Sequence, residues 1–223
     1  MNSQSRMFQR LGGLGVVFSL LFAAAFVLTG NQPSTGASAV TVMKYFHAHR
    51  ASEMASVFVL AAAAIVFFFF LSSLRRSLGR TIEGRQIAPL VTAGGAVYVS
   101  GLLLMGALLV ALVDSAHYGM GATAQTLNVL SSDAWVPVVV GISILTLGTG
   151  FASLRSAALP RWLAWASIGL GILAIAGPLG ALAFMIMPLW TLAAGIVLFR
   201  SSTPEEVSVT SPRTVPGLVS SNI

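Results

Sequence analysis

The sequence predicts an all-α membrane protein: six transmembrane helices in one bundle, with the N-terminus and the C-terminus cytoplasmic. Composition, long apolar runs and the placement of positive charge point there together. Of 223 residues, 56% are apolar and only 8% are charged, with a mean hydropathy of +0.89. A soluble domain carries about 25% charged residues, so most of this surface must face lipid. A net charge of +6 would suggest nucleic acid in a soluble protein. In a membrane protein, basic residues instead set topology against the anionic inner leaflet, and no nucleic-acid partner is expected.

A spanning helix needs roughly 20 apolar residues to cross about 30 Å of hydrocarbon. Runs of this kind occupy residues 11–30, 55–74, 90–113 and 135–154. A fifth, 162–199, would extend about 57 Å as a single helix at ~1.5 Å per residue, too far for one crossing. Its GPLG segment, Gly177 to Gly180, supplies a proline and two glycines for a turn. Two helices, 162–176 and 181–199, are therefore expected, which makes six. The first run follows Arg6 and Arg10, as in a signal peptide. Its apolar core exceeds the 7–15 residues usual for that role, so a retained helix is expected. Residues 1–200 form one transmembrane domain in this reading. The tail 201–223, rich in Ser, Thr, Pro and Val, is expected to be a disordered cytoplasmic segment.

Charge tests the count. With an inner N-terminus, Arg6, Arg10, Arg75, Arg76, Arg80, Arg85, Arg155, Arg161, Arg200 and Arg213 all fall on inner segments. Only Lys44 and Arg50 fall outside. Five spans would put Arg200 and Arg213 outside and break the alternation, so the positive-inside rule favours six. Trp135, Trp162 and Trp165 then lie at interfaces. Three spans on each side of Val113 would permit an inverted repeat, but the halves share no residue-level similarity.

Enzyme signatures are lacking. There is no cysteine, and no HExxH, GxSxG or GxxxxGK[ST] motif. The glycines of LGTG, Leu147 to Gly150, lie inside an apolar helix and serve packing. No span carries a charged residue at its middle, where proton relays and ion-coupled carriers place them. No cofactor is implied.

Two constellations remain. His47 and His49, in KYFHAHRASE, join His117, Glu53, Asp114 and Asp133 on the outer side. A helix over residues 40–53 would put His47 and His49 about 200° apart at 3.6 residues per turn. Tyr45, His49 and Glu53 would share a face. His49, Glu53, Asp114 and His117 are thus the candidate metal or acid–base set. The plainer reading makes His49 and Glu53 a solvated pair and Asp133 the N-cap of the fourth span. The second constellation is a polar layer at mid-depth. Tyr98, Ser143, Thr146, Trp190 and Thr191 fall near the bilayer centre, and Pro188 removes a helical hydrogen bond. With Met185 and Met187 they could line a pocket for an apolar molecule, or bond between helices as packing glue. Small residues at four-residue spacing, Gly15–Ser19–Ala23 and Ser167–Gly171, let backbones approach within the chain or in a homo-oligomer.

Four short stretches, LPRWLAW (Leu159 to Trp165), PLW (Pro188 to Trp190), LRRSL (Leu74 to Leu78) and HR (His49–Arg50), occur together here. They resemble a group of bacterial integral membrane proteins described only as a domain of unknown function. The resemblance covers roughly residues 10–200 and implies a helical domain in a bacterial inner membrane, with no activity or catalytic residues to carry over.

The function expected is therefore non-enzymatic: binding a small apolar ligand or lipid, or supporting a membrane complex, with membrane lipids as partners. A transporter for a neutral or amphipathic molecule is the first alternative. An outward-facing metal-dependent enzyme is the second.

Overall fold

The computed structural model describes residues 3–201, with side chains described from residue 13 to residue 200. Residues 202–223 lie outside the described residues, as does the expectation of a disordered tail there. Among the described residues the chain is all helical, without strands. The helices are α1 (Ser3–Thr29), α2 (Ala39–Ala48), α3 (Arg50–Leu78), α4 (Ile82–His117), α5 (Gly121–Asp133), α6 (Val136–Ser156), α7 (Arg161–Ile175) and α8 (Gly180–Ser201).

Four segments are long and apolar enough to cross a membrane: Arg50–Leu78, Ile82–His117, Gly121–Ser156 and Gly177–Arg200. Two further apolar helices are α7 and α1, whose side chains are described from Gly13 to Thr29. Among the described residues, four of the expected six spans therefore meet the requirement. The reason is length: fifteen residues in α7 reach only about 22 Å at ~1.5 Å per residue, against about 30 Å of hydrocarbon. The GPLG turn stands where expected. Gly177 takes φ +63°, and a 3₁₀ turn, Gly177–Leu179, links α7 to α8. The segments expected to be outer loops carry helices: α2 falls where a helix over residues 40–53 was expected, and α5 is an addition to that expectation. Helices α2 and α5 pack over the end of α4 around Val42, Phe46, Leu112, Val113 and Ala124. The amides of Gln125 and Asn128 tie α5 to the backbone of the α1–α2 linker, at Ala37 and Ser34.

Helices α4 and α6 make the closest seam. A Cβ on Gly94 would run into the backbone of Ile144 and Leu145, and one on Gly141 into the backbone of Tyr98. Gly101 abuts Val138, and Gly148 abuts Val91. All four pairs share one antiparallel register, so glycines alternate between the two helices along the seam. Helices α1 and α8 repeat the arrangement: Gly15 lies against the backbone of Thr191 and Gly195, and Ser19 Oγ lies 2.7 Å from the carbonyl of Pro188. Gly15 and Ser19 therefore pack within the chain, whereas Ala23 is exposed. Gly171 packs against Thr146 and Leu147.

This seam makes a testable demand. Gly141→Ala would place its methyl in the Tyr98 backbone and is expected to cost about 1–3 kcal/mol, the usual penalty of overpacking. Gly169→Ala, at a site with nothing within 4 Å of where a methyl would stand, is expected to be neutral or slightly stabilising. Denaturant unfolding of both variants in detergent measures the difference.

Candidate functional site

Three of the mid-depth polar residues, Thr146, Trp190 and Thr191, bond to another helix or to their own. Tertiary placement gives the Trp190 indole N–H a partner: it donates to Ser167 Oγ at 2.8 Å, and Ser167 lies 2.7 Å from the carbonyl of Leu163. Thr146 donates to Ile142 at 2.7 Å and Thr191 to Met187 at 2.9 Å, each a carbonyl one turn back in its helix. Pro188 sits inside α8, which continues through it. Met185 is exposed, and Ser143, itself buried, lines a shallow apolar groove between α4 and α6. Tyr98 is fully buried, with its ring edge-on to Phe18 and Phe67, and its hydroxyl has no hydrogen-bond partner within the protein. Of these residues Ser143 lines the α4–α6 groove, and none lines the cavity described below.

The outer set divides as well. A break at His49 separates α2 from α3, so residues 40–53 are not one helix. Tyr45, His49 and Glu53 nevertheless stay in line. The Tyr45 and His49 rings stack at 4.3 Å, and His49 Nδ1 lies 2.9 Å from the Tyr45 carbonyl. His117 faces His47, not His49, with parallel rings 5.9 Å apart. Asp114 pairs with Arg50 at 3.6 Å, both side chains half exposed. Each of the four candidate ligands therefore has a different neighbour, and no group of three or more metal-ligating side chains forms among the described residues. Asp133 closes α5, and Trp135 occupies the cap position of α6.

Glu53 overturns the solvated-pair reading. It is fully buried, with 0% of its surface exposed. One carboxylate oxygen, Oε2, accepts from Gln32 Nε2 at 3.0 Å, while Oε1 has no partner in the protein. The Tyr45 hydroxyl beside it donates to the Thr29 carbonyl at 3.0 Å. Burial, and then the nearby Glu53 carboxylate, push that hydroxyl above its usual range, so it remains a proton donor at neutral pH.

Next to this corner is the cavity that the sequence did not single out. It measures about 240 Å³. Its walls are helical stripes at i, i+3, i+4 and i+7 spacing: Phe22, Ala25, Phe26 and Thr29 on α1, and Leu102, Met105, Gly106 and Leu109 on α4. Helix α3 adds Ser56, Val57 and Leu60; α5 adds Ser131 and Ser132; and Phe184 of α8 lies against Phe22. Thr29, Gln32, Ser56 and the two serines of α5 form a polar rim. The opposite end is aromatic: Phe22 packs at a tilt against Phe18, and Phe18 packs at a tilt against Phe67 and edge-on to Tyr98. Stripes of this spacing occur on any packed span, so nothing in the sequence distinguished these from ordinary core.

The chain matches no family model, no curated protein and no solved structure. Fold and site together define an all-α protein with several helices able to cross a membrane and an amphipathic cavity near one end of the bundle.

The Trp190–Ser167 bond separates structural glue from bystander hydroxyls. Ser167→Ala leaves a buried indole N–H without an acceptor and is expected to cost about 1–3 kcal/mol. Thr146→Val removes a hydroxyl that serves only its own helix and is expected to cost less than about 1 kcal/mol. Thermal unfolding in detergent, followed by circular dichroism, checks the order.

Proposed function

We propose that this chain is a multi-span protein of a bacterial inner membrane that binds a small apolar or amphipathic molecule, such as a lipid, and carries out no chemistry on it. The observation that carries the reading is the cavity. Its inner wall is aromatic and aliphatic and its rim is polar, the combination that holds an amphiphile by its tail and orients it by its head. Its volume of about 240 Å³ is just below the roughly 300–1,000 Å³ of drug-sized ligand sites, so the occupant is a modest molecule or one chain of a lipid.

A multi-span topology is supported by four full-length apolar segments, and by charge. Arg75, Arg76, Arg155 and Arg200 fall in the last turns of α3, α6 and α8, where they also suit the helix dipole. These three helices run parallel to one another and antiparallel to α4 and α1, so their last turns share one end of the bundle, which this reading makes the cytoplasmic one. Trp162 and Trp165, 59% and 61% exposed, open α7 as interfacial anchors. The likeness of LPRWLAW, PLW, LRRSL and HR to uncharacterised bacterial membrane proteins belongs to the same reading. A transporter would need the stack of Phe18, Phe67 and Tyr98 to open a path onward from the cavity. Binding needs no such movement.

Native mass spectrometry of the purified protein tests the proposal. The wild type is expected to carry a co-purifying amphiphile. Ala25→Leu, which fills the cavity from α1, is expected to lose it, while Ala23→Leu, on the exposed side of the same helix, retains it. Equal occupancy in the two variants would remove the cavity from the reading.

A further inference from the structure

The corner occupied by Glu53 extends this reading, on which it rests, from the tail of the ligand to its head. Gln32 and Ser56 both belong to the cavity rim, and both bond to Glu53. The Gln32 amide donates to Oε2 at 3.0 Å, and the Ser56 hydroxyl donates to the Glu53 carbonyl at 2.7 Å. The Ser56 bond is local to α3, and the Gln32 bond is what joins the carboxyl group to that rim. The carboxyl is enclosed by protein yet incompletely satisfied, because Oε1 has no donor. A buried anion without a salt-bridge partner is costly, and neither neighbouring basic side chain forms one with it. Arg50 goes to Asp114, and the His49 ring is stacked on Tyr45 with Nδ1 at a backbone carbonyl.

The side chain between the carboxyl and the rim is that of Gln32, which is exposed and sits on the α1–α2 linker rather than in a helix. A rotation of that one amide would bring Glu53 to the cavity without disturbing the bundle. A ligand bearing an ammonium group would then supply what Oε1 lacks, a donor and a positive charge, with its alkyl part against Phe22, Leu60 and Met105. An anionic head would meet the carboxylate with like charge, and a hydroxyl head would bring a donor but no charge.

We propose that the cavity selects cationic amphiphiles, alkylamines in chemical class, with Glu53 as the counter-charge and Gln32 as the movable cover over it. Photo-crosslinking tests this. Three eight-carbon diazirine probes, ending in an amine, an alcohol and a carboxylate, are applied at pH 7 to the full chain in zwitterionic nanodiscs, and adducts are mapped by peptide mass spectrometry. The amine is expected to label the cavity walls at least tenfold more than either other probe. Glu53→Gln is expected to bring the amine down to the alcohol's level. Gln32→Ala leaves the carboxyl and the core in place and is expected to keep or raise the amine preference. Equal labelling by alcohol and amine, preference for the carboxylate probe, an undiminished preference in Glu53→Gln, or its loss in Gln32→Ala would each overturn the assignment to Glu53 while leaving the cavity reading intact. Labelling of the cavity by none of the probes would instead overturn the binding reading itself, and this inference with it.

Discussion

Everything in this bundle depends on how closely α4 and α6 approach. Lipid is as apolar as leucine, so helices inside a membrane gain little from hiding hydrophobic side chains and associate through packing and hydrogen bonds. The α4–α6 seam meets that constraint with alternating glycines: Gly94 and Gly101 on one helix, Gly141 and Gly148 on the other. Each accepts the backbone or side chain of its neighbour where a methyl would not fit. Because all four pairs share one antiparallel register, the seam fixes rotation and translation together. Tyr98 is pressed against Gly141 and turned toward Phe18 and Phe67. One turn further along α4, Leu102 faces the cavity. The seam thus determines where solid core stops and open space begins.

Polar groups follow a second rule, that a hydroxyl in an apolar interior finds an acceptor nearby. Thr92, Thr146, Thr149, Ser167 and Thr191 all donate to a carbonyl four residues back. They add little between helices, and the Trp190 indole is the exception that uses one of them across the α7–α8 contact. Against this background the unpartnered polar atoms stand out. Ser153 Oγ lies in α6, the Tyr98 hydroxyl among the aromatic rings beneath the cavity, and Glu53 Oε1 behind its rim.

The membrane class and the positions of most helices were legible because hydropathy reports the cost of exposing backbone to lipid, a cost each span meets alone. The GPLG turn was legible for the same local reason. Span number was less so, since α7 is a short helix whose partners, not its length, hold it. The histidine geometry failed at a single residue. A continuous helix from Val40 to Glu53 was the simplest extrapolation, but the chain bends at His49, and His47 turns to His117 across the fold. Residues 90 and more positions apart meet at the cavity, and Gln32, which covers Glu53, sits in a linker with no periodicity to read. The small-residue stripe on α1 was legible as a packing face, but its partner, α8, was not.

Arg50 and Glu53 stand three residues apart at the start of α3, a spacing at which opposite charges on a helix ordinarily pair. They do not. Arg50 reaches outward to Asp114, where both groups stay half exposed and the pair contributes on the order of 0–1 kcal/mol. Glu53 turns inward, takes one hydrogen bond from a linker glutamine, and leaves its other oxygen empty. Stability alone would favour the opposite arrangement, with the arginine neutralising the buried acid and Asp114 left to water. A carboxyl kept buried and half-satisfied beside an amphipathic cavity, with its natural counter-ion directed away, is arranged to receive a positive charge from outside the chain.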